Sequence, residues 1–201
     1  MRENLFADSF IRQVLILLLV LFFFGAAYLN SVLYNRIVLE PQAWQALDGG
    51  AVALMSHAHV KGEDDPYKFR LGDCKTQVNL SETGRNQAKR IGKRFREHGV
   101  EVGIVLHSSW CRTRETAFLA FPGISFMESS IDSFRLRPEH EAFYTRKLKE
   151  IILNWSGSNA LVLMTHPENI LALTGINASS GEAVVARSLK NDVEVVGRIV
   201  F

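Results

Sequence analysis

The chain is short of net charge, of cysteine and of repetition, and each shortage removes a class of function. Lysine and arginine number 23 against 21 aspartate and glutamate, a formal charge of +2. The two signs are interspersed from Lys61 onward, so no basic track for a nucleic-acid backbone is present and nucleic acid is not an expected partner. Only Cys74 and Cys111 are available, which allows at most one disulfide, and the sequence alone does not say whether they meet. Cys111 also lies beside two arginines, a setting in which a thiol can be activated. Low-complexity tracts and internal repeats are absent, apart from one similarity between strand ends.

What is present fits one globular domain behind a leader. The 201 residues, 47% of them hydrophobic, supply a real core but not two comfortable domains. Val14 to Leu29 is continuously apolar except for Gly25 and Tyr28, and Val32, Leu33 and Tyr34 extend it toward the ~20 residues that cross a bilayer as a helix. Arg2 and Arg12 precede the stretch, leaving the start inside and the domain outside. Residues 1–36 are therefore read as an uncleaved membrane anchor and residues 37–201 as the domain. The expected location is the periplasmic side of a bacterial inner membrane. Gly25-Ala26-Ala27 offers the alternative of a cleaved signal segment and a secreted domain.

Two distant apolar runs end alike, Ala51-Val52-Ala53-Leu54-Met55-Ser56-His57 and Ala160-Leu161-Val162-Leu163-Met164-Thr165-His166. Each reads as a strand buried on both faces, delivering a hydroxyl and then an imidazole at its carboxyl end, where open α/β sheets place their sites. A third run, Val102 to Leu106, ends in His107-Ser108-Ser109, with Arg112 and Arg114 close behind. Between the strands lie helical patterns: Ser81 as N-cap with Ala88, Ile91 and Phe95 on one face and Gly99 as stop, then Thr116 to Ala120, then Glu139 to Trp155. A segment around Ile124 to Met127 and a final pair, Ala183 to Ala186 and Val193 to Phe201, read as further strands. His59 to Val78 reads as a long irregular loop of the kind that is commonly functional. Alternating strands and helices predict an α/β fold with a mostly parallel sheet covered on both sides.

Chemically, a strand-end histidine can attack phosphorus, and the planar fork of Arg112 suits the non-bridging phosphoryl oxygens. The motifs resemble the histidine phosphatase superfamily, also called phosphoglycerate mutase-like. Ser56-His57-Ala58, Leu80-Ser81-Glu82-Thr83-Gly84, the run from Ser108-Ser109 through Arg112 to Glu115-Thr116-Ala117, and Val162 to His166 follow that family's order and spacing across Ala51 to Leu173. The resemblance implies a three-layer α/β/α sandwich, His57 as the phosphate-accepting nucleophile, Arg112 and His166 as phosphoryl-binding groups, and no metal or organic cofactor. It further implies a phosphomonoester hydrolase, with small exported members acting on small molecules such as envelope sugar phosphates.

One position departs from that pattern. Ser56 stands at the substrate-binding position where the family has arginine, which leaves a weakened phosphatase, a changed specificity or a non-catalytic phosphate-binding module tethered to the membrane. Lys61, Arg70 or His59 are candidates to restore the charge. Glu128 and Asp132 are the candidate general acids, and Glu115 falls at a supporting position. A metal reading of His57-x-His59 with Asp64 and Asp65 competes on loose spacing, and a mutase reading competes within the family.

Overall fold

The computed structural model describes residues 13–26, 40–62 and 65–201. The chain divides into two compact units, Met1–Leu39 and Glu40–Phe201. In the first, residues 13–26 form a helix with exposed side chains. Among the described residues no helix is long and apolar enough to cross a membrane, and the rest of the expected span, 27–34, lies outside them.

The second unit carries six strands in the order β3-β2-β4-β1-β5-β6. These are β1 (Val52–Ser56), β2 (Val102–His107), β3 (Ser125–Met127), β4 (Ala160–Thr165), β5 (Ala183–Leu189) and β6 (Asp192–Ile199). Every residue of β1 and β4 is buried, as continuous apolar runs require when both sheet faces are covered. β1, β2, β3 and β4 are parallel, whereas β5 lies antiparallel to β1 and β6 antiparallel to β5. The sheet is thus mixed, with β5 alone running against the other five strands. β6 follows from a local signal: Lys190 and Asn191, both at positive φ (50° and 65°), make the two-residue turn that joins it to β5 as a hairpin.

Two cores flank the sheet. Ala53, Met55, Val162 and Met164 face a cluster formed with a helix at 40–48 (α1), α2 (Glu82–Glu97) and α3 (Cys111–Ala120). Val52, Leu54, Leu161 and Leu163 face the cluster built with α4 (Glu141–Asn154) and α5 (Pro167–Thr174). This is the strand alternation of period two filling both faces, and it yields three layers. The expected α2 is found with its stop and start signals in place: the Ser81 hydroxyl accepts from the Gly84 amide at 2.9 Å, and Gly99 follows with φ of +69°.

Register brings the site together. Ser56 pairs with Thr165 and His107 with Met164, so the carboxyl ends of β1, β2 and β4 stop at one edge. The next residues, His57, Ser108 and His166, emerge side by side.

Candidate active site

His57 is 8% exposed at the end of β1. Its Nδ1 lies 2.9 Å from the Ala58 carbonyl, an acceptor only, so Nδ1 carries the proton and Nε2 keeps its lone pair. Burial, reinforced by the Arg112 charge, pushes its pKa down to about 4. The imidazole is neutral, and nucleophilic, throughout the neutral range.

His166 begins the turn into α5, and its ring stands 5.6 Å from that of His57. Its Nε2 is 2.8 Å from the Ser108 hydroxyl, which meets Thr113 Oγ1 at 2.8 Å, and Thr113 donates to the Trp110 carbonyl at 2.7 Å. This hydroxyl relay fixes the ring and leaves Nδ1 for a ligand. Burial, then Arg112 and His57, hold its pKa well below the usual imidazole range.

Arg112 sits in the first turn of α3, with its side chain 11% exposed. The guanidinium lies over the Trp110 ring, 5.7 Å from its centroid, and its Nη1 donates to Asp65 at 2.8 Å. Asp65 also accepts from the Trp110 indole at 3.0 Å and from the Val78 amide at 2.8 Å. The loop bearing Asp65 is bound to α3 twice more. Gln77 Oε1 accepts from the Cys111 amide at 2.9 Å, and Cys74 and Cys111 form a disulfide. The disulfide corrects the thiol reading of Cys111.

His57, Arg112, His166, Asp65, Arg135 and Glu168 line one cavity of about 280 Å³. Its neighbour, a groove sharing Trp110, Ser133 and Leu136 with it, carries Tyr67, Phe69 and Tyr144. A larger hollow of about 680 Å³ lies at the opposite end of β1, around Gly50 and Trp155, far from the imidazoles.

The other residues singled out from sequence fall elsewhere. Ser56 is fully buried, its hydroxyl 3.5 Å from the His57 carbonyl, and by strand alternation it faces α4 and α5. Glu128 caps a short 3-10 turn by accepting from the Ser130 amide at 2.9 Å. Asp132 accepts from the Ser109 amide at 2.6 Å and is pushed up in pKa by burial. Neither carboxylate lines the cavity of about 280 Å³, but Asp132 lines the adjoining groove. His59 turns to the Ser81 hydroxyl at 2.7 Å and Arg70 to Asp73 at 2.7 Å, so neither takes up the missing arginine's place. Among the described residues no group could hold a metal ion: His59 and Asp65 point to different partners, and Asp64 lies outside the described residues. Glu115 joins α3 to α2 through Arg85 at 2.6 Å.

Sequence reasoning missed Arg135 and Glu168. Arg135 follows no periodic segment, but Glu168 sits two residues beyond His166 on the first turn of a helix that Pro167 announces, a readable signal. The Ser133 hydroxyl donates to Glu168, and the Arg135 amide donates to Ser133 at 3.2 Å, which folds this loop over the cavity.

Residues 64–130 match the family model of the histidine phosphatase superfamily (branch 1). No curated protein matches the chain in sequence. Solved structures share the fold at low identity. The Rv3214 product of Mycobacterium tuberculosis has a TM-score of 0.55 at 14% identity, covering 73% of this chain and 95% of its own. The protein histidine phosphatase SixA, solved with tungstate, has 0.52 at 12%, covering 74% and 96%. A mycobacterial glucosyl-3-phosphoglycerate phosphatase has 0.51 at 13%, covering 74% and 97%.

Proposed function

We propose that the chain is a member of the histidine phosphatase superfamily and hydrolyses phosphomonoesters through a phosphohistidine on His57. The observation that carries this reading is the convergence of His57, Arg112 and His166 on one cavity, with His57 Nε2 unprotonated. Nε2 attacks phosphorus while the Arg112 guanidinium takes the developing charge on the phosphoryl oxygens, with the His166 ring beside the nucleophile at 5.6 Å. Water then cleaves the N–P bond. All of these groups belong to the chain, and the reading invokes no metal or organic cofactor.

The substrate is proposed to be a phosphorylated small molecule or envelope sugar. The groove beside the cavity supports it: Tyr67, Phe69, Trp110 and Tyr144 offer ring faces for a sugar, and Arg70 and Arg137 offer donors. The proposed location is outside the cytoplasm, anchored through residues 1–36, with release after signal cleavage as the alternative. The apolar run of residues 14–29 supports membrane attachment.

Turnover of p-nitrophenyl phosphate by the full chain tests the activity. Nitrophenol release that His57→Ala abolishes and EDTA leaves intact is expected; release that survives His57→Ala contradicts it. The buried Ser56, and Asp65 already seated on Arg112, favour one second reading, a phosphate-binding module without turnover. That reading expects tungstate binding with no nitrophenol release.

A further inference from the structure

A phosphomonoester with a poor leaving group needs a proton for the departing oxygen; of the two carboxylates expected to supply it, Glu128 lines neither hollow, and Asp132, held by the Ser109 amide, lines the neighbouring groove and not the cavity of His57 and Arg112. Among the described residues the cavity holds two others. Glu168 is engaged by the Ser133 hydroxyl. Asp65, its side chain 4% exposed, rests on the guanidinium that the phosphoryl group must use and also accepts from the Trp110 indole and the Val78 amide.

We propose that Asp65 is the general acid and base of the reaction, resting as a carboxylate on Arg112 and taking up a proton when a phosphoryl dianion displaces it. This rests on the phosphohistidine reading above. The groups that share the cavity with Asp65 set the charge: Arg112 on α3, Arg135 on the loop before α4, Glu168 on α5, and the imidazoles of His57 and His166 after β1 and β4. With both imidazoles neutral, the two guanidinium groups and the two carboxylates cancel. Ser56 supplies no cation to offset an arriving dianion, and in a cavity of low dielectric the entering charge draws a proton onto the nearest carboxylate.

The step balances. His57 Nε2 forms the N–P bond as the P–O bond to the leaving group breaks, and the Asp65 proton passes to the leaving oxygen, which departs as a neutral alcohol. In the second half a water oxygen attacks phosphorus, its proton returns to Asp65, and the N–P electron pair returns to His57. Phosphate leaves, Asp65 releases its proton to solvent and pairs with Arg112 again. The disulfide between Cys74 and Cys111 and the bond from Gln77 to the Cys111 amide keep the Asp65 loop against α3 while the carboxylate moves.

The test compares leaving groups in the full chain. For Asp65→Asn the loss in kcat on glycerol phosphate, a poor leaving group, is expected to exceed the loss on p-nitrophenyl phosphate by at least about thirtyfold. Glu168→Gln is expected to lose both rates alike. Calorimetry of tungstate binding, in buffers of differing ionisation enthalpy, is expected to register uptake of about one proton by the native chain and none by Asp65→Asn. Equal losses on both esters make Asp65 a positioning residue for Arg112 and overturn the proposal. So does tighter tungstate binding by Asp65→Asn with glycerol phosphate turnover retained, which would make the carboxylate a mere competitor. Leaving-group dependence in Glu168→Gln instead also overturns it. Where native protein hydrolyses nitrophenyl phosphate and His57→Ala does not, the underlying reading stands and the Asp65 outcomes alone decide; without native turnover both fall.

Discussion

At the scale of single residues the account turns on charge held in a dry cavity. Arg112 presents a planar fork that lysine cannot copy, so Arg112→Lys as well as Arg112→Ala is expected to cut kcat/KM. Loss of a bidentate, charge-assisted contact amounts to roughly a hundredfold for the alanine variant. A lysine variant with native kcat/KM would contradict the bidentate role. Acid should act on the buried imidazoles through linkage. His57 and His166 both have folded pKa values below the unfolded imidazole value, so below pH ~6.5 the unfolded chain binds protons that the folded chain refuses. Stability is therefore expected to fall as pH drops from about 6.5 toward 4, where His57 itself begins to protonate in the fold, at up to about 1.4 kcal/mol per pH unit for each imidazole. Urea midpoints at pH 7 and pH 5 read this directly. An unchanged or higher midpoint at pH 5 would mean that the imidazoles are charged in the folded protein.

At the scale of elements the packing of α2 on α3 builds the wall that carries Arg112. Gly92 is where the two approach: a Cβ there would come within 1.9 Å of the Ala120 carbonyl oxygen, a backbone atom with little room to yield. Gly84 plays the same part for the loop after β1, since its Cβ would fall 2.0 Å from the His59 carbonyl oxygen. Gly92→Ala is expected to destabilise by about 1–3 kcal/mol through overpacking, read as a lowered thermal midpoint. Reducing the Cys74–Cys111 disulfide, which spans 37 residues, is expected to cost about 2–4 kcal/mol and to lower that midpoint too. A midpoint indifferent to reductant would contradict a stabilising link.

The same elements explain which parts of the molecule sequence reasoning reached. Val52–Ser56 and Ala160–Thr165 could be found because a strand buried on both faces must be apolar throughout, and the residue after each is fixed in place by the strand itself. His57 and His166 follow from that regularity, whereas Arg112 follows from the motif that runs from Ser108 into α3. Asp65 and Arg135 do not, since each arrives from an irregular loop whose path is set by side-chain contacts such as Val78 to Asp65 and Arg135 to Ser133, which leave no period in the sequence. The antiparallel turn of β5 and β6 escaped for a similar reason: Lys190-Asn191 is not a glycine-bearing hairpin pair, yet both residues take positive φ.

At the scale of the whole molecule, two units divide the work that we assign to the chain: Met1–Leu39 contains the apolar run, and Glu40–Phe201 the complete sheet with its cavity. Attachment through the first predicts that the full chain floats with phospholipid vesicles and that deletion of residues 1–36 abolishes flotation while nitrophenyl phosphate turnover persists. Flotation of the truncated chain would place the membrane contact elsewhere. The central claim is narrower, that one nitrogen of one histidine receives the phosphoryl group. Acid-stable isolation is not available to a phosphoramidate, so the direct measurement is rapid alkaline quench of the turning-over protein, followed by mass spectrometry and phosphorus NMR. The account predicts phosphate on His57 at Nε2, because Nδ1 is committed to the Ala58 carbonyl. Label on Nδ1, on His166, or on no histidine at all during demonstrable turnover would contradict it.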